Sequence, residues 1–274
     1  MSSLPVTVVD SNKITLAFDA RELWEYRDLF LVLVQRDLKL RYRQTFLGVI
    51  WAVLQPVLPM ILFTFLFGRL ARIPTNGLPY PIFVFAGLLP WSFFNNAVSN
   101  ATLSVVGSAG FVTKVYFPRL LLPGSCVFGA LIDLVICGVV FVCMMLYYQL
   151  HVTSNLLAVP ALLLLTILLT LSVGMWSSAL YVKYRDVRYA LPFVMQVWMY
   201  LTPIIYPINF IPGRARWLLE LNPMSGIIEG FRSAFFGQSI RWLGVSLATG
   251  LTAVVFLGAA HSFRQMERHM ADII

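Results

Sequence analysis

Few residues of this 274-residue chain combine the type and the setting needed for chemistry, and Asp133 is foremost among them. It stands inside an otherwise apolar stretch, 121–148. A carboxylate there is costly and by default marks a function: a proton site, a pore group, or a polar partner for a neighbouring helix. Proton coupling usually draws on more than one such group, and the other apolar stretches hold no second acid or base near their middles. Glu229 and Arg232 are spaced i, i+3 and can pair on one helical face, with Glu220 shortly before them. His151, His261 and His269 fall in loops or the tail, and Cys126, Cys137 and Cys143 lie in one apolar segment without metal or disulfide spacing. There is no GxxxxGK[ST] phosphate loop, no HExxH and no convincing acid pair. The expectation is a chain with no catalytic residues, no metal and no cofactor of its own. If it drives active transport, the energy comes from another polypeptide.

The elements that must position these residues are membrane helices. Hydrophobic residues make up 59% of the chain and charged ones 12%, against about 25% charged in soluble domains. Mean hydropathy is +0.81. Six stretches, 47–67, 81–103, 121–148, 155–181, 190–208 and 241–261, are long and apolar enough to cross a bilayer. The net charge of +8 is therefore read by position and not as a sign of nucleic-acid binding. Fourteen of the twenty Lys and Arg residues fall before the first stretch, in the second and fourth loops, or in the tail. By the positive-inside rule both termini are cytoplasmic. The N-terminus lacks the charged and apolar regions of a cleavable signal peptide. The expected organisation is a cytoplasmic N-terminus over 1–46, a six-span domain over 47–261 and a cytoplasmic tail over 262–274.

A charged, amphipathic stretch, Arg21 to Arg43, runs directly into the first span. Leu23, Tyr26, Phe30, Leu33 and Val34 share one face, and Asp37 and Arg41 break the pattern. The pattern predicts a helix lying on the membrane surface. Its basic end, Lys39, Arg41 and Arg43, can attract anionic headgroups, grip the phosphates of a lipid-linked substrate, or simply set topology. The second loop holds Phe111, Lys114, Val115, Tyr116, Phe117, Pro118 and Arg119. Apolar side chains exposed on so short a cytoplasmic loop call for a groove to dock in, or for lipid to lie on. The fifth loop, over 209–239, is too apolar to be solvated, and Asn222-Pro223 divides it into halves too short to span. Two short re-entrant helices are expected, carrying Trp217, Glu220, Asn222, Pro223, Glu229 and Arg232; a hairpin lying on the surface is the alternative.

Amides and aromatic rings enter the spans as well. Trp51 and Gln55 lie in span one, Trp91, Asn95 and Asn96 in span two, and Phe193, Gln196 and Tyr200 on one face of a proline-rich span five. Rings that cover sugar C–H faces beside amides that bond hydroxyls suit a glycan. Bundle packing, interhelical hydrogen bonds and the interfacial aromatic belt are the other uses of such residues.

Four ordered runs carry a resemblance: LKLRYRQTFLGVIWAVLQPVLPM, FVFAGLLPWSFFNNAV, TKVYFPRLLLP and LNPMSGIIEGFR. Together they resemble the membrane subunits of type-2 ABC exporters for cell-surface polysaccharides, the O-antigen, capsule and teichoic-acid permeases. The resemblance spans nearly the whole chain from Arg21. It implies an all-α integral membrane protein of six spans, with an interfacial helix over Arg21–Arg43, a coupling segment around Lys114–Arg119 and re-entrant helices after Phe210. It also implies a homodimer in the bacterial cytoplasmic (inner) membrane, and two separate nucleotide-binding subunits carrying ATP and Mg2+. The implied cargo is a polyprenyl-pyrophosphate-linked polysaccharide moving along an aromatic-lined path. A type-2 exporter of a drug or small lipid fits some of the same features. A membrane-embedded enzyme acting on polyprenyl lipids would need Asp133, Glu220 and Glu229 brought together.

Overall fold

The structure, a computed structural model, describes residues 20–42, 48–75, 77–112, 115–151, 153–211 and 213–267. Every regular element among them is helical. Helices α1 (Ala20–Glu25) and α2 (Arg27–Tyr42) precede α3 (Ile50–Phe63), which continues as a wider π-helical turn over Thr64–Leu70. Then come α4 (Tyr80–Gly107), the short α5 (Ala109–Val112), α6 (Leu121–Tyr147) and α7 (Val159–Lys183). The chain closes with α8 (Val187–Leu201), α9 (Arg214–Glu220), α10 (Pro223–Phe235) and α11 (Trp242–Glu267).

Among the described residues five helical stretches are long and apolar enough to cross a membrane: Ile50–Leu70, α4, α6, Ser154–Lys183 and α11. The stretch expected as span five differs. Its helix, α8, has 15 residues, about 22 Å at 1.5 Å per residue, against about 30 Å of hydrocarbon. It stops at Leu201 because Pro203 has no N–H to continue it and drives Thr202 into extended backbone, φ −97° and ψ 137°. The following residues Thr202–Ile205 are non-helical and buried.

Helix α4 is the axis of the bundle. Its apolar residues face neighbours on all sides, and it packs on α3, α6, α7, α8 and α10. Around it one cluster of side chains fills the half near Tyr80, with Phe85, Phe94, Phe141, Ile204, Ile227 and Phe231. A second fills the half near Gly107, with Leu33, Val105, Phe117, Leu122, Met175 and Phe263. Cys126 and Cys137 are buried and Cys143 is exposed, all three as free thiols.

Two packing contacts bear on the expected short helices. Eleven of the thirteen residues of α10 are buried, among α4, α7 and α11, which for this half of the loop disfavours the alternative of a hairpin lying on a surface. A Cβ on Gly226 would stand 2.4 Å from the Gly244 carbonyl oxygen, so only glycine lets α10 approach α11 this closely. Helix α2, expected to lie on the membrane surface, is attached to the bundle along one side and buries only Leu33 fully. It packs along the first half of α6, with Phe30 edge-on to Phe128 at 5.3 Å.

Candidate functional site

Three places bring the singled-out residues together. The first surrounds Arg232, on α10. Its side chain is almost completely buried, and its guanidinium donates to the carbonyls of Phe83 (3.3 Å), Pro203 (2.7 Å) and Ile204. The guanidinium carbon also lies 3.7 Å from the Phe83 ring centroid, and Glu229 accepts a longer bond at 3.5 Å. Broken helices leave orphan carbonyls, which need internal donors away from water. Arg232 supplies them for Pro203 and Ile204, and the Tyr80 hydroxyl donates to Ile205 O at 2.7 Å. Gly87 makes the room: a Cβ there would meet the guanidinium at 2.9 Å.

Asn222 completes this region. Its Oδ1 caps α10 by accepting from Met224 N–H at 3.1 Å, and also accepts from the Trp198 indole at 3.0 Å. Its Nδ2 donates to the Thr202 hydroxyl at 2.9 Å. Pro223 sits in the first turn of α10, where a missing N–H costs nothing. The same side chain thus starts α10 and holds the end of α8. Trp217 is exposed on α9, whereas Glu220 bonds Arg241 (2.7 Å) and Arg216 (3.1 Å). Burial pushes the Glu220 carboxyl up, but these hydrogen bonds and charges outweigh it and hold the carboxyl below its ordinary value.

The second place is a cleft of about 300 Å³ between the end of α2, α3, α4 and α6. Asp133 lies twelve residues into α6, about 18 Å from its start. Its two oxygens accept from the Arg41 guanidinium and the Tyr42 hydroxyl, both from the last turn of α2. Trp51, Gln55, Asn96 and Asn100 line the same cleft, with Asn96 Nδ2 donating to Gln55 Oε1 at 2.6 Å. One turn earlier on α2, Asp37 accepts from Ser125 Oγ at 2.9 Å and Cys126 Sγ at 3.4 Å, and from Arg36 at 2.9 Å. The residues that break the apolar stripe of α2 are thus the ones α6 holds. Tyr42 was missed from sequence; its signal was its position beside Arg41, one residue further along the same turn.

Other expected lining residues are elsewhere. Trp91 is buried against Phe94 (5.6 Å between ring centroids) and Trp198 (6.5 Å), and so is packing. Asn95 is half-buried and does not line the cleft. Phe193, Gln196 and Tyr200 are exposed along α8, away from the cleft lining. Lys39 is exposed, and Arg43 lies outside the described residues.

The third place is the second loop. Phe117 was expected to be exposed but is 3% exposed, in the cluster with Leu33, Leu121 and Phe263. Tyr116 at 66%, with Val115 and Phe111, remains on the surface. Arg119 bonds Glu267 at the end of α11, through its backbone N–H to the carboxylate at 3.0 Å and its guanidinium to the carbonyl. The Arg36 guanidinium reaches Ser108 at 3.4 Å. Pro118 is half-buried; Lys114 lies outside the described residues. The loop is therefore anchored by Phe117 and Arg119 and presents Phe111, Val115 and Tyr116. Among the described residues no cluster of His, Cys, Asp or Glu could hold a metal; Asp133 bonds Arg41 and Tyr42, whereas Glu220 bonds Arg216 and Arg241 and Glu229 bonds Arg232.

A model of the ABC-2 type transporter family matches residues 28–236. The chain is 31% identical over 251 residues to the O-antigen export system permease protein RfbA of Myxococcus xanthus, covering 90% of this chain and 95% of that one. It is 23% identical over 236 residues to the polysialic acid transport protein KpsM of Escherichia coli, covering 82% and 88%. It is 26% identical over 199 residues to the inner membrane transport permease YadH of Escherichia coli K12, covering 69% and 77%.

Proposed function

The chain belongs to the ABC-2 type transporter family, and from that premise we propose that it is the membrane permease subunit of an exporter of a surface polysaccharide, O-antigen or a related glycan. The observation that carries this reading is the similarity to O-antigen permeases over nine-tenths of the chain. A cleft that joins amides, a tryptophan ring and an arginine supports it, because glycans offer hydroxyls, C–H faces and anionic attachment groups to such a surface.

In the proposed assembly two copies of the chain sit in the bacterial inner membrane with both termini in the cytoplasm. ATP and Mg2+ are bound by two separate nucleotide-binding subunits. Phe111, Val115 and Tyr116 dock on those subunits, and the anchors Phe117 and Arg119 pass the load to α2 and α11. Helix α8 and the buried segment after it together make the sixth crossing, and α9 and α10 fill the outer end. Cargo meets the cleft at Arg41, Trp51, Gln55 and Asn96, and continues past the exposed rings of α8.

Deleting the chain tests the reading in cells: surface glycan is expected to be lost while its lipid-linked precursor accumulates inside. A strain that keeps its surface glycan and becomes drug-sensitive overturns it in favour of a drug or small-lipid exporter. At the loop, Tyr116→Asp is expected to abolish co-purification with the ATPase, and intact co-purification removes the docking assignment.

A further inference from the structure

The Arg41–Asp133 pair has a feature that a purely structural pair does not need. Its partners are both side chains, both remain partly accessible (24% and 13% of the side chain), and both line an open cleft. Burying an ion pair seldom stabilises a protein more than an apolar contact would, so holding one halfway along an apolar helix calls for another use. Arginine and a phenol hydroxyl from one helical turn make a donor set for an oxyanion. Asp133 fills that donor set with an oxyanion of the protein's own. Beside it, Gln55 and Asn96 bond each other, which leaves each amide with spare hydrogen-bonding capacity toward the cleft.

We propose that Asp133 is an internal stand-in for an anionic group of the cargo: a phosphate joined to a sugar takes the Arg41 guanidinium and Tyr42 hydroxyl from Asp133, while Gln55, Asn96 and Trp51 receive the adjoining sugar. The proposal rests on the glycan-export reading and deepens it by naming the chemistry of one subsite. Its mechanical consequence follows from the contacts of α2. The helix is held to α6 at three levels: Phe30 near Gly124 and Phe128, Asp37 on Ser125 and Cys126, and Arg41 with Tyr42 on Asp133. An anion that takes over the last level frees the end of α2. That helix also carries Leu33, packed with Phe117 of the second loop. Cargo in the cleft and the motor-facing loop are thereby joined through one helix.

The test uses the full chain in phosphatidylcholine nanodiscs, titrated with glucose 1-phosphate, inorganic pyrophosphate and glucose by calorimetry. In the wild type glucose 1-phosphate binds, and glucose alone does not. Asp133→Asn removes the competing charge, keeps a partner for Tyr42, and is expected to tighten binding of both anions about tenfold. Arg41→Gln is expected to abolish it. Unchanged or weaker anion binding in Asp133→Asn overturns the stand-in role and leaves the pair structural. Should Asp133→Asn fail to fold, the double variant Arg41→Gln, Asp133→Asn, with no unpaired charge, is expected to fold and bind neither anion. Binding retained by the double variant overturns the site. Asn96→Ala is expected to weaken glucose 1-phosphate but not pyrophosphate, and equal effects overturn the sugar assignment. Nanodiscs of phosphatidylglycerol distinguish the source of the anion: competition by that lipid shows a general headgroup site and overturns the cargo assignment. The glycan phenotype of the deletion strain is measured separately, so loss of the export reading and loss of this subsite are told apart.

Discussion

Arg232 and Arg41 are both drawn into the bundle, yet they are held in opposite ways. Arg232 bonds three backbone carbonyls, and its only acid, Glu229, is the most distant of its partners. Backbone carbonyls cannot rotate away without unfolding the segment that carries them. Arg41 bonds one side-chain carboxylate at the edge of a cleft, and a carboxylate can swing aside or be replaced by another anion. The first arrangement repairs a broken helix permanently. The second is exchangeable. A buried cation therefore says little until its partners are known to be backbone or side chain.

Substitutions test that difference, beginning with the largest effect. Arg232→Met takes the guanidinium donor from the carbonyls of Pro203 and Ile204 and leaves Glu229 without its cation, at a cost on the order of 3–5 kcal/mol. The expected result is no monodisperse protein on size-exclusion in detergent; a folded Arg232→Met protein would make this site as replaceable as the other. Asn222→Ala removes the cap of α10 and the tie to α8 together. It is expected to cost about 1–2 kcal/mol, read as a lowered Tm with the fold retained. Arg41→Gln is expected to cost about 1 kcal/mol, because Asp133 keeps Tyr42 and faces the cleft, but to abolish glycan export in cells. An Arg41→Gln protein as unstable as Arg232→Met would erase the contrast. Tyr116→Asp should change stability by less than about 0.5 kcal/mol while losing co-purification with the ATPase, whereas Phe117→Asp should not fold. The smallest effect is on the tie of α9 to α11. The folded Glu220 carboxyl titrates below its ordinary value, so its contribution is complete above the unfolded value and fades as pH falls through the folded one. Acidification should speed hydrogen exchange in α9, and this loss should be absent in Glu220→Gln.

Hydropathy and motif order made much of this molecule legible beforehand. Five long apolar helices stand where five of the six apolar stretches were read, and the break at Asn222-Pro223 separates α9 from α10. The remaining one, the fifth stretch at 190–208, was read as one span because hydropathy counts apolar atoms and does not register that Pro203 ends a helix at Leu201. Trp91, Asn95 and Asn96 illustrate the other gap. All three are aromatic or amide residues on one helix, yet Trp91 packs inward, Asn95 stops short of the cleft and Asn96 lines it. Helical spacing fixes which residues share a face, but not what that face meets.

Sequence alone determined that this chain is a helical membrane protein, that it carries no phosphate loop for ATP, and which four runs tie it to its family, because composition, charge bias and motif order are properties of a line. Tertiary structure decided that Asp133 meets Arg41 and Tyr42, 92 and 91 residues away, and that Arg232 meets carbonyls of α4 and of the segment after α8. Those pairings arise only when α2 packs on α6 and α10 enters the bundle. An unmet donor or acceptor in an apolar interior is costly enough to choose its partner, but the partner is whatever packing has brought within reach.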